Sequence, residues 1–384
     1  MVGIPVVMGK GKMMRIQAER RKLLDAVATV AAVVPNKPIK EILGNLVIKA
    51  MQNGQGLIYA TDLEVAIEAG VEIAEVVTAG TVLVPAAQLL AILKVIPEGM
   101  VELRELPDMS VMVIESGTLW YELPLGKIDS YPDLGAPDYG WAIEVCNNEL
   151  AEGIRAVSDK AATESARFSM CGVQLTPTPL GLTAVATDSR RLAIKEIRGV
   201  KSGDGQGKPC IIPIKAVGVL EKMSWPTAQV SWGPNGAAVR FFANGEQGPL
   251  WRVTVSTRLV EGRFPDYKAV LPTTEAAGSF RLQAEALGVA IRQVAMMKDP
   301  ETGKLSLAVD KCKLALTTRG AGKAHSMVEV DSVGKRQEIA VNPDYLSEAV
   351  KPITGEASVE LWGPEKPLLV TGQGGYTCLV MPLS

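Results

Sequence analysis

The chain of 384 residues repeats one pattern three times at a spacing of about 130 residues, and this repeat constrains its fold more than any other feature. In each copy, apolar residues at positions i, i+4 and i+7 predict the buried face of a helix. The three sets are Leu23, Val27 and Val30; Leu150, Ile154 and Val157; and Leu287, Ile291 and Val294. Self-similarity at a domain-sized interval predicts three domains of similar fold.

Three further features recur in the same order within each copy. A β-rich segment ends at a threonine, a helix begins at a proline, and a final strand runs into a Tyr-Pro-Asp segment or a variant of it. The threonines are Thr61, Thr187 and Thr317, and the prolines are Pro85, Pro213 and Pro343. The closing segments are Tyr131-Pro132-Asp133, Phe264-Pro265-Asp266 and Met381-Pro382-Leu383. Proline suits a first helical turn because its missing N–H would be unpaired there anyway.

We therefore predict an α+β fold, in which each domain places two helices on antiparallel sheet. Pro- and Gly-bearing stretches near residues 139 and 272 predict the domain boundaries. The predicted organisation is an N-terminal extension (residues 1–13), followed by domains at residues 14–139, 140–272 and 273–384.

The composition argues against several classes of protein. The formal net charge is −2, so nucleic acid could be bound only through a locally basic surface. One histidine, and five cysteines without CxxC spacing, exclude most zinc sites and most histidine-dependent catalysis. We expect no metal and no cofactor, and buried free thiols in a reducing cytosol. No run approaches the ~18 apolar residues of a membrane span, so we expect a cytoplasmic protein.

A hydrolase that uses Asp62 or Asp188 is the enzyme alternative, because a Thr-Asp pair follows a strand in the first two repeats. Short polar residues at such positions normally hydrogen-bond the backbone of a turn. The third copy lacks the aspartate, which favours the turn interpretation. We predict that the glycine clusters at residues 53–56, 203–207 and 372–375 are hairpin turns and that His325 lies in a surface loop.

Basic residues recur on the predicted helices. Lys215 and Lys222 are seven residues apart after Pro213, which predicts one shared face. The other repeat helices carry Arg20, Arg21 and Lys22; Lys94; Arg155 and Lys160; Arg292 and Lys298; and Lys351. If these faces lined one concave surface, an acidic chain could still contact phosphates there.

Four segments resemble the bacterial beta sliding clamp family, the ring-forming beta subunit of DNA polymerase III. They are Thr187-Asp188-Ser189-Arg190-Arg191-Leu192-Ala193; Leu259-Val260-Glu261-Gly262-Arg263-Phe264-Pro265-Asp266-Tyr267; Ile42-Leu43-Gly44-Asn45 with Thr61-Asp62-Leu63-Glu64; and Val380-Met381-Pro382-Leu383. The resemblance covers residues 14–384, with a family-like start at Met14.

The resemblance implies a non-catalytic homodimer, closed head to tail into a ring around duplex DNA of any sequence. It would tether the replicative polymerase for processive synthesis. The implied partners are the catalytic subunit of DNA polymerase III, the clamp loader, and other DNA polymerases and repair proteins that carry short clamp-binding peptides. The alternative is a monomeric, repeat-built binding module without a DNA role.

The resemblance also implies three sets of site residues. The DNA-facing set is Lys37, Lys94, Arg155, Lys160, Arg167, Phe168, Ser169, Lys215, Lys222, Arg292, Lys298 and Lys351. The partner-peptide groove is Met170, Thr187, Ser189, Arg190, Arg191, Leu192, Pro265, Val270, Asn342, Tyr345, Pro367, Leu379, Met381, Pro382 and Leu383. The dimer interface is Tyr121 and Leu123 against Met296 and Met297 of the partner. Ala87, Glu164, Ala269 and Ser384 depart from the family pattern.

Overall fold

The fold is described from a computed structural model, which describes residues 13–132, 141–163, 168–201, 208–223, 227–233, 236–242, 252–320 and 322–383. Six α-helices lie in this part of the chain. They are α1 (Arg20–Ala31), α2 (Ala86–Val95), α3 (Asn147–Ser158), α4 (Ile214–Leu220), α5 (Ala284–Ala295) and α6 (Pro343–Val350).

Apart from short 3-10 turns, the remaining regular structure of the described residues is antiparallel strand. In chain order the strands are β1 (Arg15–Glu19), β2 (Asn45–Ala50), β3 (Gln55–Thr61), β4 (Val65–Glu72), β5 (Glu75–Thr78), β6 (Gly80–Pro85), β7 (Met100–Leu106), β8 (Val111–Ser116), β9 (Leu119–Pro124), β10 (Trp141–Cys146), β11 (Gly172–Thr178), β12 (Gly181–Thr187), β13 (Arg191–Lys201), β14 (Cys210–Pro213), β15 (Thr227–Trp232), β16 (Ala237–Phe242), β17 (Arg252–Thr257), β18 (Gly278–Gln283), β19 (Leu305–Asp310), β20 (Lys313–Arg319), β21 (Lys323–Glu329), β22 (Asp331–Gly334), β23 (Gln337–Val341), β24 (Glu356–Leu361), β25 (Leu368–Gly372) and β26 (Tyr376–Val380).

The chain forms two compact units, and the second repeat contributes to both. One unit comprises Met1–Asn148 and Gly218–Leu259, and the other comprises Glu149–Val217 and Val260–Ser384. Strand pairing explains this division. Strand β17 of the second repeat pairs with β4 of the first, while β13 of the second pairs with β26 of the third.

The first unit contains a five-stranded sheet in the order β5-β1-β7-β8-β9. Its second sheet runs β10-β15-β16-β17-β4-β3-β2-β6. Helix α1 packs on α2, β3 and β4. Its predicted apolar face is confirmed, because Leu23, Val27 and Val30 are all buried.

The second unit contains a sheet in the order β14-β11-β12-β13-β26-β25-β24-β18-β22. A four-stranded sheet runs β21-β20-β19-β23. Helix α5 packs on α6, β20 and β21. The two remaining apolar triplets of the repeat, on α3 and α5, are buried as predicted.

The repeated Thr-Asp pairs are turn residues, as predicted. Asp62 Oδ1 accepts hydrogen bonds from the backbone N–H groups of Glu64 and Val65, at 3.0 and 2.9 Å. Asp188 Oδ1 accepts those of Arg190 and Arg191 in the same way, at 2.9 and 3.0 Å. Each carboxylate therefore holds the turn that leads into the following strand.

The prolines at the helix starts follow the prediction to within one residue. Pro343 is the first residue of α6, and the Asn342 side chain caps that helix by accepting the Asp344 N–H at 2.9 Å. Pro85 and Pro213 instead end strands β6 and β14, one residue before α2 and α4. The glycine clusters at residues 53–56 and 372–375 lie at hairpin turns as predicted, whereas residues 203–207 lie outside the described part.

Two smaller predictions are wrong. His325 lies in strand β21 rather than in a loop, because the alternating exposure of that segment is that of an edge strand with one covered face. Cys312 is exposed, although the described Cys210 and Cys378 are buried as predicted. Among the described residues, no helix is both long and apolar enough to cross a membrane.

Tyr131 ties the end of the first repeat to its sheet. Its side chain is buried, its hydroxyl accepts the Thr61 backbone N–H at 3.1 Å, and the same hydroxyl donates to the Asn45 carbonyl at 3.2 Å. Burial raises the pKa of Tyr131 to about 12, so the phenol keeps its proton at neutral pH. The Thr61 N–H of β3 and the Asn45 carbonyl of β2 therefore both use the Tyr131 hydroxyl as their hydrogen-bond partner.

We expect Tyr131→Phe to lower the free energy of unfolding by about 1–3 kcal/mol, because the Thr61 N–H stays buried without an acceptor. Urea denaturation measures this loss. Tyr267→Phe is the control, since the half-buried Tyr267 hydroxyl makes no hydrogen bond to any described residue. Equal unfolding midpoints for the two variants would contradict this role for the hydroxyl.

Candidate functional site

The first wall of the candidate groove forms where β13 and β26 pair. Arg191 is opposite Val380 and Leu192 is opposite Leu379 in this register. The Met381 N–H donates to the Arg190 carbonyl at 2.9 Å, which extends the pairing past the end of β26. The turn at residues 189–191 is therefore fixed beside residues 379–381.

The C-terminal residues form a second link. The Leu383 N–H donates to the Ala340 carbonyl at 2.7 Å, and Ala340 lies in β23 just before Asn342 and α6. Pro367 directly precedes Leu368, which pairs with Val380. The chain end thus passes from the start of β13 to the start of α6, and it brings together predicted groove residues from three segments.

An apolar cluster lies under this region. Its buried members are Val185, Leu192, Ile211, Phe264 and Leu379, and Tyr267 and Leu271 are among the side chains that pack against it. Pro265 lies two residues before the short helical turn at Tyr267–Val270, and Val270 ends that turn. The packing of Tyr267 ties the turn to the same cluster. Leu192 and Leu379 therefore contribute a buried floor rather than an open surface.

The predicted groove residues fall into three classes of exposure. Met170 and Thr187 are buried together with Leu192 and Leu379. Thr187 Oγ1 donates to the Arg191 carbonyl at 2.7 Å and is thus occupied by its own turn. The exposed members are Ser189, Arg190, Val270 and Met381. The partly exposed members are Arg191, Pro265, Asn342, Tyr345, Pro367, Pro382 and Leu383.

Arg191 is held on every side. Its Nε lies 3.0 Å from Asp188 Oδ2, its Nη2 donates to the Asp159 carbonyl at 2.7 Å, and its Nη1 forms an ion pair with Glu348. Its Cζ lies 4.5 Å from the centroid of the Tyr345 ring, a cation–π distance. Arg191 and Tyr345 therefore form a stacked pair in which each guanidinium nitrogen has a partner.

Two neutral groups of β26 lie near these charges. Burial raises the pKa of Cys378 to about 11, and burial is also the largest cause of the raised pKa of Tyr376. Thiol and phenol both keep their protons at neutral pH. The charge in this part of the second unit is therefore carried by lysine, arginine and carboxylate side chains.

Most predicted DNA-facing residues that the structure describes are exposed. The exposed members are Lys37, Lys94, Arg155, Phe168, Lys215, Lys222, Arg292 and Lys351. Ser169 and Lys298 are partly exposed, and Lys298 forms an ion pair with Asp344. Arg167 and Glu164 lie outside the described residues. Arg292 and Lys351 line one cleft of about 440 Å³ between α5 and α6.

Lys160 is wrongly assigned to this set, and the helical face predicted for Lys215 and Lys222 is wrong as well. Lys160 is 0% exposed and bonds inward to the Ala156 and Glu348 carbonyls, so its ammonium cannot face DNA. Helix α3 ends at Ser158, and the chain then turns Lys160 into the unit rather than along the helix face. Lys222 lies two residues past the end of α4, so its spacing from Lys215 does not define a shared helical face.

The predicted interface strand β9 is an outer strand. It pairs with β8 and has no second strand partner within the described residues. Leu123 is only 5% exposed because it faces the core of its own unit, which corrects its assignment as a contact for a partner. Trp120 on the opposite face of β9 is 64% exposed. The run Leu119-Trp120-Tyr121, three large apolar or aromatic residues in one strand, is the sequence signal for it.

The two methionines predicted to form the other half of the dimer interface are exposed. Met296 and Met297 follow α5 directly and are 84% and 47% exposed. Strand β21 at the edge of the four-stranded sheet also lacks a second strand partner in the described part of the second unit. In the part of the chain that the structure describes, no group of three or more His, Cys, Asp or Glu side chains could hold a metal ion.

Three domain models of the DNA polymerase III beta subunit match the chain in order. The N-terminal domain matches residues 14–135, the central domain residues 144–266 and the C-terminal domain residues 268–384. The chain belongs to the beta sliding clamp family. The α+β fold of three similar domains, each with two helices on antiparallel sheet, is thereby confirmed.

Curated members of the clamp family match over almost the whole chain. The beta sliding clamp of Caulobacter vibrioides is 28% identical over 385 residues, which cover 96% of this chain and 100% of the relative. That of Treponema pallidum is 25% identical and covers 96% of this chain and 99% of the relative.

Solved clamp structures agree with these matches. The Caulobacter crescentus beta sliding clamp superposes with a TM-score of 0.86 at 27% identity and covers 98% of this chain and 100% of that one. A Pseudomonas aeruginosa DNA polymerase sliding clamp superposes with a TM-score of 0.88 at 22% identity, covering 97% and 100%, which supports the fold alone.

Proposed function

We propose that this chain is a sliding clamp that encircles duplex DNA and tethers the replicative polymerase for processive synthesis. The ordered match of all three clamp domains to residues 14–384 carries this conclusion. The clamp acts by retention and performs no chemistry of its own. Domain boundaries near residues 139 and 272, a cytoplasmic location and the absence of a cofactor belong to the same proposal.

The ring is a homodimer with two identical head-to-tail contacts, in which different surfaces of the two copies meet. The outer strand β9 of one copy meets β21 and the Met296–Met297 pair of the other, with Tyr121 and Trp120 at the contact. Unpaired strand edges are an aggregation hazard, and mutual pairing removes it. Sedimentation distinguishes this proposal from a monomeric binding module, because only a clamp requires the dimer.

The proposed partners bind the groove around Arg190, Tyr345 and Met381 through short peptides with Leu and Phe anchors. They are the catalytic subunit of DNA polymerase III, the clamp loader, other DNA polymerases and repair proteins. Exposed apolar side chains beside a few polar ends suit such peptides. The test of the whole function is retention of the loaded clamp on circular DNA and its release when the DNA is cut.

Contact with DNA is proposed to be weak, salt-sensitive and independent of sequence. Basic side chains that meet only phosphates hold the duplex without selecting a site. Closure of the ring keeps the DNA inside, so each contact can remain weak enough for sliding. In the second unit, the exposed Arg292 and Lys351 line one cleft, and we assign the phosphate contact to this pair.

We expect Arg292→Glu with Lys351→Glu to weaken duplex binding, and to lower the slope of log affinity against log salt by roughly 0.9 for each phosphate that is no longer neutralised. Fluorescence anisotropy across a salt series measures both quantities. The control is Lys335→Glu with Lys366→Glu, which makes the same charge change at exposed residues in connections between strands. Equal slopes for the two double variants would argue against a DNA-facing role for α5 and α6.

A further inference from the structure

Lys160 is a fully buried lysine with a complete set of partners. Its Nζ donates to the carbonyls of Ala156 and Glu348, each at 3.0 Å, and lies 2.6 Å from Asp159 Oδ1. The same atom is 5.9 Å from the centroid of the Tyr376 ring. An ammonium group has three donors, and these three oxygens satisfy them. Burial of such a charge is costly, and an apolar side chain of similar size would often be as stable.

The same two acidic residues also hold Arg191. The Asp159 carboxylate pairs with Lys160, and the Asp159 carbonyl accepts a hydrogen bond from Arg191. The Glu348 carbonyl accepts a hydrogen bond from Lys160, and the Glu348 carboxylate pairs with Arg191. The four residues therefore form a closed cycle of contacts. It joins the chain after α3, the start of β13 and the last turn of α6, all within the second unit.

We infer that Lys160 is a positioning residue for the partner-peptide groove, acting through Asp159 and Glu348 on the stacked Arg191–Tyr345 pair. This inference rests on the proposed groove. Without the ammonium, the Asp159 carboxylate loses its counter-charge and becomes free to draw the guanidinium away from Tyr345. Glu348 at the same time loses the hydrogen bond that ties the α6 backbone to the end of α3.

The consequence is preorganisation. A groove wall that is already ordered before the peptide arrives avoids the entropy loss of ordering Arg191 and Tyr345 during binding. A lysine with a purely structural role would change the unfolding midpoint, and it would leave the peptide affinity of the folded protein unchanged.

The test is calorimetry with a short peptide that carries Leu and Phe anchors, on the full-length protein well below its unfolding temperature. We expect Lys160→Met to weaken binding about tenfold, since residues that act as one network couple strongly. The matched control is Lys195→Met, which removes another lysine that donates to a carbonyl, that of Gly374 at 2.7 Å, outside the cycle. Its affinity should equal that of the wild type.

A double-mutant cycle tests whether Lys160 acts on the groove through Arg191. If Lys160 acts through Arg191, adding Lys160→Met to Arg191→Met causes no further loss of affinity. Losses that multiply would overturn action through Arg191. Should Lys160→Met fail to fold, Asp159→Asn decides, because it removes only the carboxylate and keeps the carbonyl that Arg191 uses. Wild-type affinity in a folded Asp159→Asn variant would overturn the inference.

A second readout separates this inference from the groove assignment. NMR of arginine-labelled protein follows exchange of the Arg191 Nε–H, which should be slow in the wild type and in Lys195→Met and fast in Lys160→Met. Slow exchange in Lys160→Met would overturn the ordering role. If exchange is fast in Lys160→Met but the wild type binds no peptide, the groove assignment is overturned. The ordering of Arg191 by Lys160 then still stands.

Discussion

Met296→Asp with Met297→Asp is expected to give monomers at micromolar concentration and to abolish retention on circular DNA. The two side chains are 84% and 47% exposed and form an apolar pair directly after α5. In the proposed ring they are buried against the outer strand β9 of the partner. Two carboxylates there would have to lose their water without a counter-charge, which costs several kcal/mol.

The loss of retention should be nearly complete, because a ring that does not close has no topological hold on DNA. Sedimentation velocity gives the assembly state, and gel filtration of nicked circles after loading by a clamp loader gives retention. Val333→Asp is the control, an exposed apolar residue of β22 changed in the same way. A variant that remained dimeric at low concentration would rule out this interface.

Met381→Ala with Leu383→Ala is expected to weaken partner-peptide binding at least tenfold and to leave the ring assembled. Truncation of an apolar anchor in a desolvated pocket costs on the order of 2 kcal/mol, and about 1.4 kcal/mol corresponds to a factor of ten. Met381 is 40% exposed before binding, so its side chain is available to a partner. The proposed dimer contacts involve other parts of the chain.

Alanine at these two positions preserves the path of the chain end. The Met381 N–H to the Arg190 carbonyl and the Leu383 N–H to the Ala340 carbonyl are backbone bonds that any non-proline residue can make. Calorimetry with the anchor peptide, beside sedimentation of the same sample, measures both properties. Leu180→Ala serves as control, since that leucine is exposed in the turn between β11 and β12. Unchanged peptide affinity in an intact ring would refute the groove assignment.

The helices and turns were the most predictable parts of this fold. The apolar triplets that contain Leu23, Ile154 and Val294 each have helical spacing because one face of each helix must be buried, and the structure buries every member of the three triplets. The Thr-Asp turns were predictable for a local reason, since Asp62 and Asp188 bond to backbone two and three residues ahead.

The two failures among the predicted helix lysines have a common physical cause, which is that sequence spacing does not show where a helix ends. Lys160 was placed with Arg155 on an exposed face, yet α3 stops at Ser158 and the next turn directs the lysine inward. Lys222 likewise follows the last residue of α4. The acidic and carbonyl partners of Lys160 include Glu348, 188 residues further along the chain, and no local pattern could have revealed that contact.

The chain end described above also bears on how such a protein can diverge. The backbone N–H groups of residues 381 and 383 donate to the carbonyls of Arg190 and Ala340, and these bonds do not involve the side chains. Natural selection can therefore exchange the two side chains without altering the path of the backbone. Point mutation alone can thus change which peptides fit the proposed groove, while the fold stays constant. Variation at residues 381 and 383 should accordingly follow changes in the peptides that the proposed groove binds more closely than changes in thermal stability.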